Sequence, residues 1–411
     1  MTVDPQMAQA PMRAWKRSDG RKGIRNTIVI AYLVECAHHV ARDIARPFED
    51  QDVHVIGFPG CFPNDYAQKI MEALCTHPNV GAVLLISLGC ENFRKNKLKQ
   101  VIEKTDRPTE LLVIQNEGGT RSSVKQGRNW VQRIRQEIDA LPQTDMAVSD
   151  LIIGTICGGS DATSGLTGNP AAGLAFDKLI KDGATCIFEE TGELVGCEHG
   201  MAERAITPAL GAALIGCVQK AVRYYAKMGY GSFSQGNAEG GLSTIEEKSL
   251  GAYAKSGNSP ISGIVKPGIS PPAGGLYLLD VVPDGEPRFG FPNINDTSEI
   301  VELIACGAHA VIFVTGRGSV VGSAISPILK VCANPDTYRC MREDMDVNAG
   351  RILDEDVSLE VVGTEIRDKI LALGQGWRSA SEELGHREFV LGYKYFDTLE
   401  PSCLPNSGSS N

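Results

Sequence analysis

A chain of 411 residues with 42% hydrophobic and 22% charged residues has the balance of a globular protein and the length for two or three cores. A formal net charge of −10 speaks against nucleic acid or an anionic membrane as partner, and no apolar run reaches the ~18 residues of a membrane span. The N-terminus lacks a basic stretch followed by an apolar one, so a cytoplasmic location is expected. The 12 cysteines, none in a CxxC pair, are expected as thiols.

The first 145 residues alternate between apolar runs and amphipathic stretches. Strands are predicted over 26–34, 53–57, 80–88 and 110–115, with helices over 38–48, 64–76, 97–103 and 122–141. Near-continuous apolar strands separated by helices imply a parallel sheet covered on both faces, with ligands at the carboxyl ends of the strands. Those ends carry Glu35 and Cys36, Cys61, Cys90 and Glu91, and the run Gln115 to Thr120. A boundary is expected over 141–145. Beyond it come strand 151–156, helix 170–181, strand 185–190, one long helix 201–227, strand 275–280, helix 297–306 and strand 310–315. The fold class expected is α/β, with two parallel-sheet domains carrying helices on both faces. The division is 1–145 for the N-terminal domain, 146–400 for a C-terminal catalytic domain and 401–411 for a flexible tail. The Gly/Ser-rich passage 229–241 reads as an ordered loop or lid.

The segment Ile156-Cys-Gly-Gly-Ser-Asp-Ala-Thr-Ser-Gly-Leu-Thr-Gly-Asn-Pro-Ala-Ala-Gly173 sets a thiol, a carboxylate, hydroxyls and an amide between glycines, after a strand and before a helix. Glycine lets backbone N–H groups approach a ligand, and a helix N-terminus favours an anion, so the loop suits a small anionic substrate. Glu189, Glu190, Glu193, Cys197, Glu198 and His199 form the densest cluster of ligand types. Thiolate, oxygen and nitrogen donors together suit a borderline divalent ion, and a solvated acidic loop is the alternative. Thr315-Gly-Arg-Gly-Ser-Val-Val-Gly322 lacks the helix of a dinucleotide fingerprint because Pro327 interrupts it, so no nucleotide is expected. An anion loop with Arg317 forking onto a carboxylate is preferred there over a plain turn. Arg17, Arg21, Lys22 and Arg25 precede the first strand as either a carboxylate clamp or a solvated turn. Lys248 is either a surface ion pair or, if buried beside a metal, a base with a lowered pKa.

Read in order, Asp19-Gly-Arg-Lys-Gly-Ile-Arg-Asn26, Leu88-Gly-Cys-Glu91, Gln115-Asn-Glu-Gly-Gly-Thr120, Cys157-Gly-Gly-Ser-Asp161 and Asn169-Pro170 form a series. It continues through Glu189-Glu-Thr-Gly-Glu193, Glu198-His199, Gly240 to Gly251, Thr315-Gly-Arg-Gly318 and Asn348-Ala-Gly350. The series resembles the altronate/galactarate dehydratase family. The resemblance implies a lyase that removes water from a 2,3-dihydroxy sugar acid, leaving a 2-keto-3-deoxy acid, with Fe(II) or alternatively Mn(II) required. On it rest Cys90, Cys157, Glu190 and His199 as metal ligands and Lys248, Asp161 and His199 as catalytic groups. Arg25, Gln115, Thr120, Ser160, Asn169 and Arg317 are the corresponding substrate contacts. Longer members carry a further N-terminal module, so a small subunit supplying it is a candidate partner, beside the hydroxy-acid substrate and self-association into a homo-oligomer. Two rival chemistries stay open. One is carbon–sulfur cleavage of a sulfonated hydroxy acid such as sulfolactate. The other is an iron–sulfur dehydratase, because Cys36, Cys61, Cys90 and Cys157 all fall at predicted strand ends. Phe58 and Phe62, in the loop after the second strand, imply a pocket altered from that for a six-carbon polyol acid.

Overall fold

The residues described in the computed structural model are 11–228, 235–285 and 295–394. They begin with β1 (Met12–Lys16), which pairs antiparallel with β2 (Lys22–Gly23). Next come β3 (Thr27–Tyr32), β4 (Val53–Gly57), β5 (Val80–Ser87) and β6 (Thr109–Val113), four parallel strands in the order β4-β3-β5-β6. The helices α1 (His38–Ala45), α2 (Asp65–Cys75), α3 (Lys95–Glu103) and α4 (Thr120–Asp139) alternate with them. Successive strand residues point to opposite faces, which divides the sheet between two cores. Ile28, Ile30, Ala82 and Leu84 pack with α1 and α4, whereas Val29, Ala31, Val83 and Leu85 pack with α2 and α3.

β7 (Thr144–Met146) closes antiparallel onto β1, and β8 (Ile152–Cys157) then enters a second sheet. Its other strands are β9 (Thr185–Phe188), β10 (Ile261–Val265), β11 (Gly275–Leu279), β12 (Ala310–Thr315), β13 (Ile328–Cys332) and β14 (Val347–Asn348). The order is β10-β11-β9-β8-β12-β13-β14, with every pairing parallel. From β8 the chain winds to one side through β9, β10 and β11, and β12 then pairs on the other flank of β8. The topological switch therefore lies between β8 and β12, where open α/β sheets hold ligands.

Around this sheet run α5 (Gly168–Lys181), α6 (Glu198–Glu203), α7 (Pro208–Met228), α8 (Gln235–Glu239), α9 (Ile245–Ala254) and α10 (Asp296–Ala305). α5 and the helix Leu359–Gly374 share one core with Ile153, Phe188 and Ile312. α10 packs Ile300, Leu303 and Ile304 with Ile156 and Phe313, and in the same core with Ile70 and Met71 of α2, so one apolar layer serves both sheets. His309 adds a polar tie. Its Nδ1 accepts from Ile152 N at 3.0 Å and its Nε2 lies 2.8 Å from the Lys22 carbonyl, joining β2 to β8.

Some expectations need correction. The helix predicted over 201–227 is two helices, because α6 ends at Glu203 and Pro208 opens α7, where a missing N–H costs nothing. The ribbon of β1, β2 and β7, the strands β10, β13 and β14, and the helix Leu359–Gly374 have no counterpart in the sequence reading. Of the passage 229–241, 235–239 form α8, while 229–234, like the tail 401–411, lie outside the described residues. No described helix is long and apolar enough to cross a membrane.

Candidate active site

β8 ends on Cys157, and the chain leaves through Gly158 and Gly159 toward α5. Gly159 takes φ +60°, a region open to glycine, and its carbonyl accepts from Gly316 N at 3.1 Å and Arg317 N at 2.8 Å. The loops after β8 and β12 are thereby sealed together across the switch. Cys157 Sγ lies 2.9 Å from Lys248 Nζ and 2.9 Å from Glu190 Oε1, and Ser160 Oγ donates to it at 3.4 Å. Lys248 also donates to Ser160 Oγ at 3.1 Å and pairs with Glu193 at 2.5 Å, while Lys255 pairs with Glu190. Cys157, Glu190, Lys248 and Lys255 are all buried. The two lysines are seven residues apart at α9, which sets them on one side of the helix.

Glu190 stands out in its backbone. It takes φ +88° and ψ +43°, left-handed values that cost a non-glycine residue of order 1–3 kcal/mol. Its carboxylate reaches back to accept from Cys157 N at 3.1 Å. Cys157, Glu190 and Glu193 bring one ligand atom each within 4.8 Å of one another. A thiolate and two carboxylates are a donor set that fits a borderline divalent ion. Burial alone would lower the pKa of Lys248, but the Cys157 thiol and the Glu193 carboxylate outweigh it and hold the ammonium well above the ordinary lysine range. In this pairing the shift runs upward, opposite in direction to the lowering expected for a lysine buried beside a metal.

Beside the cluster opens a cleft of about 230 Å³, lined among others by Ser160, Asp161, Asn169, Leu242, Lys248 and Leu250. Asn169 is buried, and its Oδ1 has no hydrogen-bond partner among the described residues, which leaves an acceptor for a ligand hydroxyl. Further carboxyls lie nearby, with Glu189 and Asp296 both held above the ordinary carboxylate range. Burial, and then Glu302, push the Glu189 carboxyl up to about 8; burial, and then Glu193, push Asp296 up to about 6. Glu302 is itself met by Lys394 at 2.5 Å and by the Tyr66 hydroxyl at 2.7 Å.

Of the residues singled out from sequence, Cys157, Ser160, Asp161, Asn169, Glu190 and Lys248 come together here. Asp161 differs in role. Its Oδ1 accepts from Thr163 N at 2.9 Å, Thr163 Oγ1 at 2.6 Å and Ser164 N at 3.1 Å, and its Oδ2 from Asn334 Nδ2 at 2.8 Å. Such a carboxylate shapes the loop and has little left for acid catalysis. Arg25 is not a substrate clamp. It is buried, and its guanidinium meets Glu382 at 2.7 and 2.9 Å and the carbonyls of Ile24, Leu373 and Trp377, which uses all five N–H groups. Arg317 is near the loop through its backbone, but its side chain binds the Gly236 carbonyl and lies 3.6 Å from Glu239, both on α8. His199 is exposed on α6, and Cys90 is exposed beyond β5 of the other sheet, so neither joins the Cys157 donors. Gln115 and Thr120 also belong to that other edge, after β6 and at the start of α4. Glu193, singled out in the ligand-type cluster but not among the four ligands assigned through the resemblance, belongs to the donor set, and Lys255 was missed. The seven-residue spacing from Lys248 was the available signal for the second lysine.

Comparison with known proteins gives this arrangement a family. Residues 148–396 match the D-galactarate/altronate dehydratase C-terminal domain, and residues 14–139 match the second domain of D-galactarate dehydratase/altronate hydrolase. The chain is 31% identical to the (2R)-sulfolactate sulfo-lyase subunit beta of Chromohalobacter salexigens, over 93% of this chain and 97% of that one. It is 28% identical to an altronate dehydratase of Bacillus subtilis, over 92% of this chain and 77% of that one. With the galactarate dehydratase (L-threo-forming) of Escherichia coli the identity is 30%, over 75% and 59%. The chain thus belongs to the D-galactarate/altronate dehydratase family, whose dehydratases are hydro-lyases.

Proposed function

We propose that this chain is a lyase that expels the C3 substituent of a small 2-hydroxy acid, with dehydration of a sugar acid to a 2-keto-3-deoxy acid as the leading reading. The observation that carries it is the buried contact of Lys248 with Cys157, Ser160 and Glu193 at the edge of a polar cleft. Removing the proton at C2 places a second negative charge on the substrate carboxylate, and preorganised cations are what make that charge accessible. Lys248, held against Cys157 and Glu193, is the group that gives a proton to the departing hydroxyl. The C2 proton passes to a basic atom of the Cys157, Glu190 and Glu193 cluster, and the C3 hydroxyl leaves as water with the Lys248 proton. The cluster returns its proton to Lys248, and the enol tautomerises to the ketone. Ser160 and Asn169 orient the substrate hydroxyls. Cys157, Glu190 and Glu193 would hold Fe(II) or Mn(II), which would supply Lewis acidity toward the substrate oxygens.

A second reading is favoured by two observations. The match to a sulfo-lyase subunit runs over 97% of its length, and Leu166, Leu242 and Leu250 line the cleft, which a polyol chain does not ask for. In that reading sulfite leaves C3 of a sulfonated hydroxy acid in place of water. Because that relative is itself named a subunit, we include a small partner subunit in either reading. An anaerobic assay across aldonic, aldaric and sulfonated hydroxy acids, with added Fe(II) and with and without a candidate small subunit, tests both. A 2-oxo acid without sulfite supports dehydration, equimolar sulfite supports the second reading, and no product from any of them overturns both.

A further inference from the structure

The carboxyl edge of the four-stranded sheet holds a second constellation, which the Cys157 site does not use. Cys36 lies four residues past β3, Cys61 four past β4 and Cys90 three past β5, on three strands adjacent in the order β4-β3-β5. The three loops are bound to one another. Glu35 N donates to the Pro59 carbonyl at 3.2 Å, and Asn92 N donates to the Cys61 carbonyl at 2.8 Å. The topological switch of this sheet falls between β3 and β5, because the chain goes from β3 to β4 on one side and returns with β5 on the other. The cysteines therefore lie on linked loops at the edge where an open α/β sheet takes a ligand.

Exposure sets these three apart. Free cysteine is among the most buried residue types, and of the 11 described cysteines only Cys36, Cys61, Cys90 and Cys340 are exposed. Two of the other ligand types at this edge are already engaged. The Glu91 carboxylate folds back onto Ser87 and Gly89 N and lies 3.5 Å from Lys95, and His38 is stacked on Tyr32 and bonded to Glu35 at 2.9 Å. A disulfide would use two of the three thiols and strand the third. Among the described residues the three sulfurs are not gathered within 4.8 Å, so they do not frame a single ion; a polynuclear cluster, whose ligands sit on separate irons, takes wider spacing.

We infer that Cys36, Cys61 and Cys90 are the three protein ligands of an iron–sulfur cluster at the β3–β5 crevice, with its fourth iron open to a small oxygen ligand. The four cysteines that looked equivalent in sequence divide, because Cys157 is buried on the other sheet with Lys248. The assignment rests on these thiols and stands or falls apart from the reading of Cys157. The test uses the full chain, purified without oxygen and incubated with Fe(III), sulfide and a thiol reductant that converts part of the iron to Fe(II). The expected result is about three to four irons with as many acid-labile sulfides per chain, and a visible sulfur-to-iron absorption that dithionite bleaches. C36S, C61S and C90S should each lose at least half of the bound sulfide and of the visible absorption, while C157S retains both. Iron without sulfide, or no iron, in the wild-type chain overturns the assignment whether or not the variants fold. So does equal cluster loss in C157S.

Discussion

Two sheet edges in this molecule are built from the same ingredients and end in opposite environments. Each has a parallel strand pair at a topological switch, a glycine at a left-handed φ (Gly89 at +131°, Gly159 at +60°) and a cysteine within a few residues of the strand end. At the four-stranded sheet the thiols of Cys36, Cys61 and Cys90 are exposed. At the seven-stranded sheet Cys157 is covered, and two buried lysines meet two carboxylates around it. In low dielectric such pairs shift one another's protonation strongly, whereas at the open edge water screens them. The difference teaches that a strand-end cysteine carries no chemistry of its own. The elements that close over it decide between a polarised acid–base centre and a set of thiolate ligands.

That contrast can be broken in graded ways. Replacing Lys255 with Met strips Glu190 of its buried counter-charge. The expected outcome is a stability loss of about 3–5 kcal/mol by denaturant titration, with turnover down on the order of 100-fold. If Lys255→Met is neutral, the buried edge is less polarised than its geometry implies. Arg25→Met asks whether cations away from that edge touch substrate. Breaking the Arg25–Glu382 pair should cost about 3–5 kcal/mol of stability while KM of the folded fraction stays unchanged. A raised KM would restore the clamp.

Acid probes the tie between the two halves. Burial lowers His309 from 6.5 to about 4, so its stabilising effect is full above pH 6.5 and is lost as pH falls through that range. Calorimetry should show roughly 3 kcal/mol disappearing from this group by pH 4, and a shallower decline in His309→Gln. The smallest effect is expected for Arg317→Ala, which frees a side chain lying on α8. A KM change within about threefold fits a solvated ion pair, and a tenfold rise would place Arg317 on the substrate.

Much of the fold was legible. Strands buried on both faces are apolar throughout, so β3, β4, β5, β8, β9 and β12 fall within about two residues of their predicted bounds. The ribbon of β1, β2 and β7 escaped because strands of two to five residues with mixed burial leave no period to read. The site was half legible. The Cys157 loop and Glu190 announce themselves by composition, and Lys248 by its setting. Their meeting does not, since Lys248 and Cys157 are 91 residues apart and nothing local says that α9 delivers its lysine onto that sulfur. Arg25 misled for the same reason. Its five acceptors include groups from Leu373 to Glu382, which no pattern near residue 25 could reveal.

The central claim is that the chemistry sits at the carboxyl edge of the seven-stranded sheet, with Lys248 as its proton donor. The most direct test is kcat of Lys248→Met for 2-oxo acid formation, on protein shown to be folded and to retain its metal content. The account predicts a fall of about 1,000-fold or more with little change in KM. Turnover within tenfold of the wild type would contradict it and move the search for the reacting site to the other edge.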